Sequence, residues 1–176
     1  MKRSYILARI IRHIFSFKAY VARCFPKDQL IRIESQVSVS ETGHMAEILC
    51  IIESSWDLRS LWQGKSVKQR ALQWFGQTRL WDTQYNTGVL LYVSFADKRI
   101  EIVADRGIAQ VVSDEHWQVI CDKMSQLFAQ KRYIEAVEFS IKAVDQRLQE
   151  FVPRDIGQWP YVNQVPNQAV SYTHLR

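Results

Sequence analysis

The sequence WDTQYNTGVLLYVSFADKRIEIVADRG occupies residues 81–107 and predicts the centre of a β-sheet. Residues 89–95 form a dense run of β-branched and aromatic side chains, and residues 100–105 alternate between apolar and polar types. The residues between these two runs are polar enough to turn. The stretch therefore predicts a β-hairpin. Because its strands are antiparallel, the loop at 82–87 lies at the same end as the residues that leave the second strand.

Upstream, residues 46–53 have apolar side chains at both odd and even positions, which is the pattern of a strand that is covered on both faces. Ser66 then begins a helix that extends towards Trp81, with Gln69 in the capping-box position. A right-handed crossover of this kind joins parallel strands. We therefore expect the strand at 46–53 to be central and parallel to the first strand of the hairpin.

Further helices are predicted on both sides of this core. Two precede it, at residues 5–17 and 27–41, and two follow it. Of the later pair, one is capped by Ser113 and the other covers residues 133–152 until Pro153 stops it. The predicted fold class is α/β, a three-layer α/β/α sandwich in which helices cover a small mixed sheet.

The length of 176 residues and the hydrophobic content of 47% fit one domain with a substantial core. The net charge of +5 is concentrated in residues 1–25, which contain no acidic residue and these basic ones: Lys2, Arg3, Arg9, Arg12, Lys18 and Arg23. The remaining chain is nearly neutral, which argues against a nucleic-acid partner. We divide the chain into a basic head at 1–25, a folded domain at 27–153 and an irregular tail at 154–176.

Residues 5–17 of the head predict a basic amphipathic helix. Its apolar residues recur at helical spacing, with basic residues on the other side: Ile6, Leu7, Ile10, Ile11, Ile14, Phe15 and Phe17 against Arg9, Arg12 and His13. Two roles stay open. Either the apolar stripe packs on the domain, or it makes weak contact with an anionic membrane surface. The sequence does not identify a protein partner.

The cysteines Cys24, Cys50 and Cys121 are widely spaced and form no C-x-x-C motif. We interpret them as reduced, buried thiols, which are typical of a cytoplasmic protein. The head has neither the uninterrupted apolar run of a signal peptide nor that of a membrane span. We therefore predict a cytoplasmic protein with, at most, peripheral membrane contact.

The tail lacks periodicity. Its last residues, 170–176, read like the translation of a sequencing adapter joined to a truncated reading frame. We therefore exclude them from functional argument and give His174 no role.

Several segments resemble the TPM-domain family: the strand entry Asn86-x-Gly88-Val89-Leu90, the turn at 96–99, the strand exit Glu101-Ile102-Val103-Ala104-Asp105-Arg106-Gly107 and the pattern Trp117…Phe128…Tyr133. The resemblance covers residues 27–153. It implies a compact α/β sandwich, which carries bound calcium or a similar divalent cation in some members. Phosphatase activity is proposed for some of the family.

The predicted topology brings polar residues from three segments to one end of the sheet: His44 and Glu47, Asp82 and Asn86, and Asp105 and Arg106. Hard divalent cations bind several oxygen ligands, including carboxylates and carbonyls. We predict that four of these residues ligate a divalent cation, most simply Ca²⁺: Glu47, Asp82, Asn86 and Asp105. The alternative is that Asp82 caps a turn and that Asp105 makes ordinary hydrogen bonds.

If the domain hydrolyses phosphate esters, the cation would polarise the phosphoryl group, Arg106 would pair with its oxygens and His44 would donate a proton. The sequence contains no P-loop, G-x-S-x-G or H-E-x-x-H motif, and the residues after Cys121 do not form a cysteine-phosphatase loop. Phosphatase activity is therefore a prediction from the family resemblance alone.

The competing hypothesis is a non-catalytic interaction or assembly module. It rests on the basic head and on Trp56, Trp62 and Trp81, because exposed aromatic side chains mark binding surfaces. The alternative interpretation places these tryptophans in a small cluster beneath the long loop at 54–64.

Overall fold

The computed structural model describes residues 2–16, 18–154 and 170–173. Its helices and strands are, in chain order, α1 (Lys2–Ile14), α2 (Lys18–Cys24), α3 (Lys27–Ser40), β1 (Glu47–Ser55), α4 (Leu58–Trp62), α5 (Val67–Gln77), β2 (Gly88–Ser94), β3 (Arg99–Ala104), α6 (Arg106–Ala109), α7 (Asp114–Ala129), α8 (Tyr133–Phe151) and β4 (Val170–Thr173).

The sheet is built around β1, which is buried along its whole length. β2 lies parallel to β1, with Gly88 opposite Glu47, and β3 runs antiparallel to β2, with Ala104 opposite Val89. The connection from β1 to β2 includes α5, whose predicted capping box between Ser66 and Gln69 is present. The hairpin and the central parallel strand are therefore confirmed.

Two hydrophobic cores lie on opposite faces of the sheet, because successive residues of a strand point to opposite sides. Ile48, Cys50 and Ile52 of β1 belong to the larger core, with side chains from α3, α7 and α8. Leu49 and Ile51 belong to the smaller core, with side chains from α1, α4 and α5. Helices thus cover both faces, and the three-layer α/β/α sandwich is confirmed.

Some short elements lie outside the sequence prediction. α2 follows α1, α4 lies within the loop at 54–64, and α6 starts directly after β3. The prediction of an irregular tail is wrong for Val170–Thr173, which form β4 and pair in parallel with the edge of β1 away from β2. An uncovered strand edge presents unpaired backbone groups that accept another strand. Residues 155–169, Phe17 and His174 lie outside the described residues.

Helix α1 packs on the domain with its basic side, whereas the first of the two roles left open by the sequence places the apolar stripe there. Arg9 donates to both carboxylate oxygens of Asp97, at 2.9 and 2.6 Å, and its guanidinium lies 4.3 Å from the Trp56 ring centre. Nδ1 of His13 accepts the Trp56 backbone N–H at 3.0 Å, and Ile10 is buried in the smaller core. Docking of the head is therefore observed, but through the face that the hydrophobic pattern assigns to solvent.

Candidate functional site

Glu47 and Asp105 lie at the same end of the sheet, as the topology predicts. Glu47 is opposite Gly88, and Asp105 donates its N–H to the Gly88 carbonyl at 2.8 Å. Residues in one row across a sheet point to the same face, so the two carboxylates flank Gly88 on the side of the smaller core. A Cβ on Gly88 would stand 2.0 Å from the Leu80 carbonyl oxygen. Only glycine fits between the carboxylates, because the Leu80 backbone closes over this row.

Asp105 has one satisfied and one unsatisfied carboxylate oxygen. Its Oδ1 accepts the Arg106 N–H at 2.7 Å and caps α6, whereas Oδ2 is buried and accepts no hydrogen bond from the described residues. The loop before β2 lies against α6 here, and Gly107 of α6 donates its N–H to the Asn86 carbonyl at 2.9 Å. Ordinary hydrogen bonding therefore explains one oxygen of Asp105 and leaves the other available as a ligand.

The other predicted ligands are engaged elsewhere. The Asp82 side chain is 53% exposed and accepts from Arg79 at 3.1 Å. Asn86, with a φ of 55°, accepts at its Oδ1 from the exposed Arg106 guanidinium at 2.7 Å. Within the described residues, no three His, Cys, Asp or Glu side chains form a group that could hold a metal ion. The predicted ligand set is thus divided, and the cation site stays a prediction.

His44, the predicted proton donor, is completely buried. Its Nδ1 accepts the Ala46 N–H at 3.2 Å, so the neutral ring carries its proton on Nε2, 3.6 Å from an Asp145 oxygen. Burial lowers the pKa of His44 to about 4. The imidazole is therefore neutral at pH 7 and braces the chain before β1 against α8.

A buried polar network that the sequence analysis missed is centred on Glu53, at the other end of β1. Arg70 donates to both of its oxygens, at 3.0 and 2.5 Å. Trp74 Nε1 and the Tyr92 hydroxyl also donate to Glu53, at 2.9 and 2.6 Å, and Trp56 Nε1 donates to Tyr92 at 2.9 Å. The network joins α5 to the sheet. The available signal was a glutamate inside an apolar strand and an arginine on the apolar side of α5.

Asp97, which the sequence places in a polar turn, is the buried anchor for α1. Besides Arg9, it has Nε2 of His13 at 3.3 Å. Burial alone would raise the pKa of Asp97, but hydrogen bonds from His13 and Arg9 outweigh it and hold the pKa well below its usual range. Arg9 also donates to the Lys65 carbonyl at 2.6 Å. The basic side of α1 is therefore bound to the domain.

The opposite side of α1 is apolar and faces outward. Three of its large side chains, and Phe15 in the turn that follows the helix, are between 44% and 64% exposed: Leu7, Ile11, Ile14 and Phe15. Spacings of three, four and seven residues place them on one side of the helix, and we call this side the outer face of α1. Arg12 is half exposed. Among the described residues, no helix is both long and apolar enough to span a bilayer.

The three tryptophans do not form one cluster. Trp56 is fully buried in the smaller core, whereas Trp62 is 73% exposed and Trp81 is 49% exposed. The interpretation as a cluster beneath the 54–64 loop therefore holds for Trp56 and fails for the other two.

Comparison with known proteins shows both a sequence family and a shared fold. The family model described as the TPM domain matches residues 21–147. The chain is also similar to the NMR structure of the BA42 protein from the psychrophilic bacterium Bizionia argentinensis, with a TM-score of 0.70 and 23% identity over 82% of this chain and 93% of that one. No curated protein sequence matches the chain. Helix α1 precedes the residues that the family model matches.

Proposed function

The chain belongs to the TPM domain family, and from this premise we propose that it is a TPM domain held at an anionic membrane surface by helix α1. The observation that supports the proposal is the outer face of α1. That helix is fixed to the domain by Arg9 and His13, so the apolar side chains on its other side point away from the protein. Amphipathic helices that bind membranes lie in the interface with such a face towards the acyl chains.

The charge of the head fits the same surface. Residues 1–25 carry six basic residues and no acidic one. Arg9 is neutralised by Asp97, but Arg12 keeps half of its side chain in solvent. Each basic residue near an anionic leaflet contributes about 1 kcal/mol of attraction. The head therefore combines apolar insertion with electrostatic attraction, the two contributions that peripheral membrane helices use.

The test replaces two outer-face residues, Leu7→Gln together with Ile11→Gln. Removing two side chains that would enter the bilayer costs about 2–3 kcal/mol of binding, because each is worth about 1.5 kcal/mol when buried. We expect at least a tenfold loss of co-sedimentation with vesicles of phosphatidylcholine and phosphatidylglycerol. The melting temperature should hardly change, since both side chains are about half exposed in the protein, at 58% and 46%.

The matched control is Ile31→Gln together with Val119→Gln. These residues are 56% and 69% exposed on α3 and α7, so the control removes a comparable apolar area from other helices. Its vesicle binding should equal that of the unmodified protein. Equal losses in the two double variants, or no binding of the unmodified protein to anionic vesicles, would contradict the proposal.

A second candidate function is divalent-cation binding at the Glu47 end of the sheet. It is favoured by the buried Oδ2 of Asp105, which accepts no hydrogen bond from the described residues. Glu47 is opposite Gly88 and the Leu80 carbonyl oxygen lies over Gly88, and both groups offer the oxygen chemistry that Ca²⁺ takes. These donors fit a cation better than the exposed Asp82 does. Bound there, a cation would polarise a phosphoryl oxygen, and the exposed Arg106 would pair with the phosphate, whereas the buried His44 takes no part.

We expect millimolar calcium to raise the melting temperature by several degrees, because a ligand at a hundredfold excess over Kd stabilises the folded state by about 2.7 kcal/mol. Asp105→Asn should remove most of this rise while keeping the α6 cap, since asparagine caps helices as well as aspartate does. Asp82→Asn is the matched control and should keep the calcium response. A transition that calcium, magnesium and manganese all leave unmoved would defeat the cation site and the hydrolysis that depends on it.

A further inference from the structure

A polar cleft of about 440 Å³ lies between α1, the start of α5 and strand β3. We call it the α1–α5 cleft. Its volume is within the range of small-ligand clefts, about 300–1,000 Å³. Tyr5 of α1 lines one side, and Ser66 and Val67 line another at the first turn of α5. The cleft is separate from the Glu47–Asp105 end of the sheet, because it lies at the β2–β3 turn.

The charge of this cleft is positive. Arg9 and Asp97 both line it, but they neutralise each other through a 2.6 Å ion pair. The remaining charged lining residues are three cations and one anion: Arg12, Lys68, Arg99 and Glu101. Two positive charges are therefore in excess. Arginine and lysine side chains that converge in this way are the usual protein ligands of phosphate groups.

The three cations come from three different elements. Arg12 is on α1, Lys68 is in the first turn of α5 and Arg99 begins β3. Both Lys68 and Arg99 are exposed. Burial raises the pKa of Glu101, and the positive charges of Lys68 and Arg99 partly offset this rise. The cleft thus surrounds one region with positive charge from separate directions.

The cleft also adjoins the proposed membrane contact. Tyr5 and Arg12 line it, and they lie on the side of α1 next to the outer face that includes Leu7 and Ile11. A lipid whose acyl chains contact the outer face would have its headgroup close to the cleft. The outer face of α1 and the cationic α1–α5 cleft therefore lie side by side along the same helix.

We propose that the α1–α5 cleft binds a phosphate group and that the group is the headgroup phosphate of an anionic lipid. The inference rests on the proposed membrane function for the source of the ligand. Arg12, Lys68 and Arg99 supply the positive charge, and Glu101 limits the affinity by repelling the phosphate.

The test uses the double variant Lys68→Gln, Arg99→Gln and two kinds of probe. Glycerol 3-phosphate is titrated into the protein at constant ionic strength, and vesicles of phosphatidylcholine with phosphatidic acid or phosphatidylglycerol are sedimented with it. The variant should bind glycerol 3-phosphate at least tenfold more weakly and should lose the preference for phosphatidic acid. The charge-matched control is Lys27→Gln, Lys123→Gln, because both lysines are exposed on α3 and α7, away from the cleft. The control should retain both properties.

Glu101→Gln provides a change of opposite sign. It removes the negative charge from the cleft, so glycerol 3-phosphate should bind several-fold more tightly. If the cleft variant and the charge-matched control bind glycerol 3-phosphate equally weakly, the inference is overturned, because the phosphate would then respond to the overall charge of the protein and not to a site. If the cleft variant loses glycerol 3-phosphate but keeps wild-type vesicle binding, the phosphate comes from solution and the lipid assignment is overturned. If neither the unmodified protein nor any variant binds vesicles, the membrane proposal fails. The glycerol 3-phosphate titration still shows whether the cleft binds a phosphate group.

Discussion

His44 makes the stability of the domain depend on pH, because its imidazole is buried in the neutral form. Its pKa is lowered to about 4, whereas the unfolded chain takes up a proton near pH 6.5. The unfolded state therefore binds more protons between these values, and stability falls as the pH drops from 6.5 towards 4. We expect a loss of up to about 3 kcal/mol in urea unfolding over that interval, and no contribution above it.

The His44→Gln variant separates this effect from other titrating groups. Glutamine offers an acceptor for the Ala46 N–H and has no charge to gain. Asp145, whose pKa burial raises, keeps its own contribution in both proteins. The difference in stability between the two proteins should therefore change with pH between 6.5 and 4. Parallel pH profiles would show that His44 remains accessible to protons in the folded state.

Glu53 is a second buried residue on which the stability of the domain depends. Four donor groups surround its carboxylate, from Arg70, Trp74 and Tyr92. Glu53→Gln would direct an NH₂ group at these donors and leave Arg70 without its buried counter-ion. Such a break costs about 3–5 kcal/mol. Urea denaturation should show this loss, whereas Tyr92→Phe should cost about 1–3 kcal/mol. A Glu53→Gln protein within about 1 kcal/mol of wild type would mean that the network is not a cooperative unit.

At the residue scale, sequence reasoning succeeded where topology alone decides position. Glu47 and Asp105 share one end of the sheet because a crossover and a hairpin leave no other arrangement. It failed where a side chain chooses among partners. Asp82 pairs with its neighbour Arg79, and His44 is covered by α8, and neither contact has a periodic pattern in the sequence.

At the element scale, the hairpin β2–β3 and helix α5 were predictable because their signals are local. Dense β-branched runs, a polar turn and a capping box act within a few residues of each other. Helix α1 was predictable too, but its orientation was not, because hydrophobic periodicity identifies two faces without saying which one is buried. The buried face of α1 is set by Asp97, which binds Arg9 although the two residues are 88 positions apart in the sequence. A buried carboxylate in a turn can thus outweigh an apolar stripe in orienting a helix.

At the scale of the whole molecule, the two candidate functions lie at opposite ends of the sheet. Helix α1 contacts the end of β1 at Trp56 and the β2–β3 turn at Asp97, whereas Glu47 starts β1. Eight steps along β1 separate these ends by about 26 Å, at about 3.3 Å per residue. A protein docked through α1 would therefore hold the Glu47–Asp105 end away from the bilayer. The two sites can be altered independently, so Asp105→Asn should not change vesicle binding.

The same geometry predicts how the domain responds when α1 is removed. A chain that begins at residue 17 loses Ile10 from the smaller core and leaves the Asp97 side chain, now 6% exposed, without Arg9 and His13. Without α1 the Asp97 carboxylate is in contact with water, but the apolar surface that α1 covered is exposed as well, so the shortened chain should melt at a clearly lower temperature.

Asp97→Asn should then have different effects in the two chains. In the full chain it removes the counter-ion of Arg9 and should lower the free energy of unfolding. In the shortened chain Asp97 is in contact with water and has lost Arg9 and His13 as partners, so the same substitution should change the free energy of unfolding little. Urea denaturation of the four proteins forms a double-mutant cycle whose interaction energy measures the bond between α1 and the domain. If Asp97→Asn destabilises both chains equally, or if the shortened chain is as stable as the full one, α1 is not held by Asp97. Its outer face would then have no fixed orientation towards a membrane.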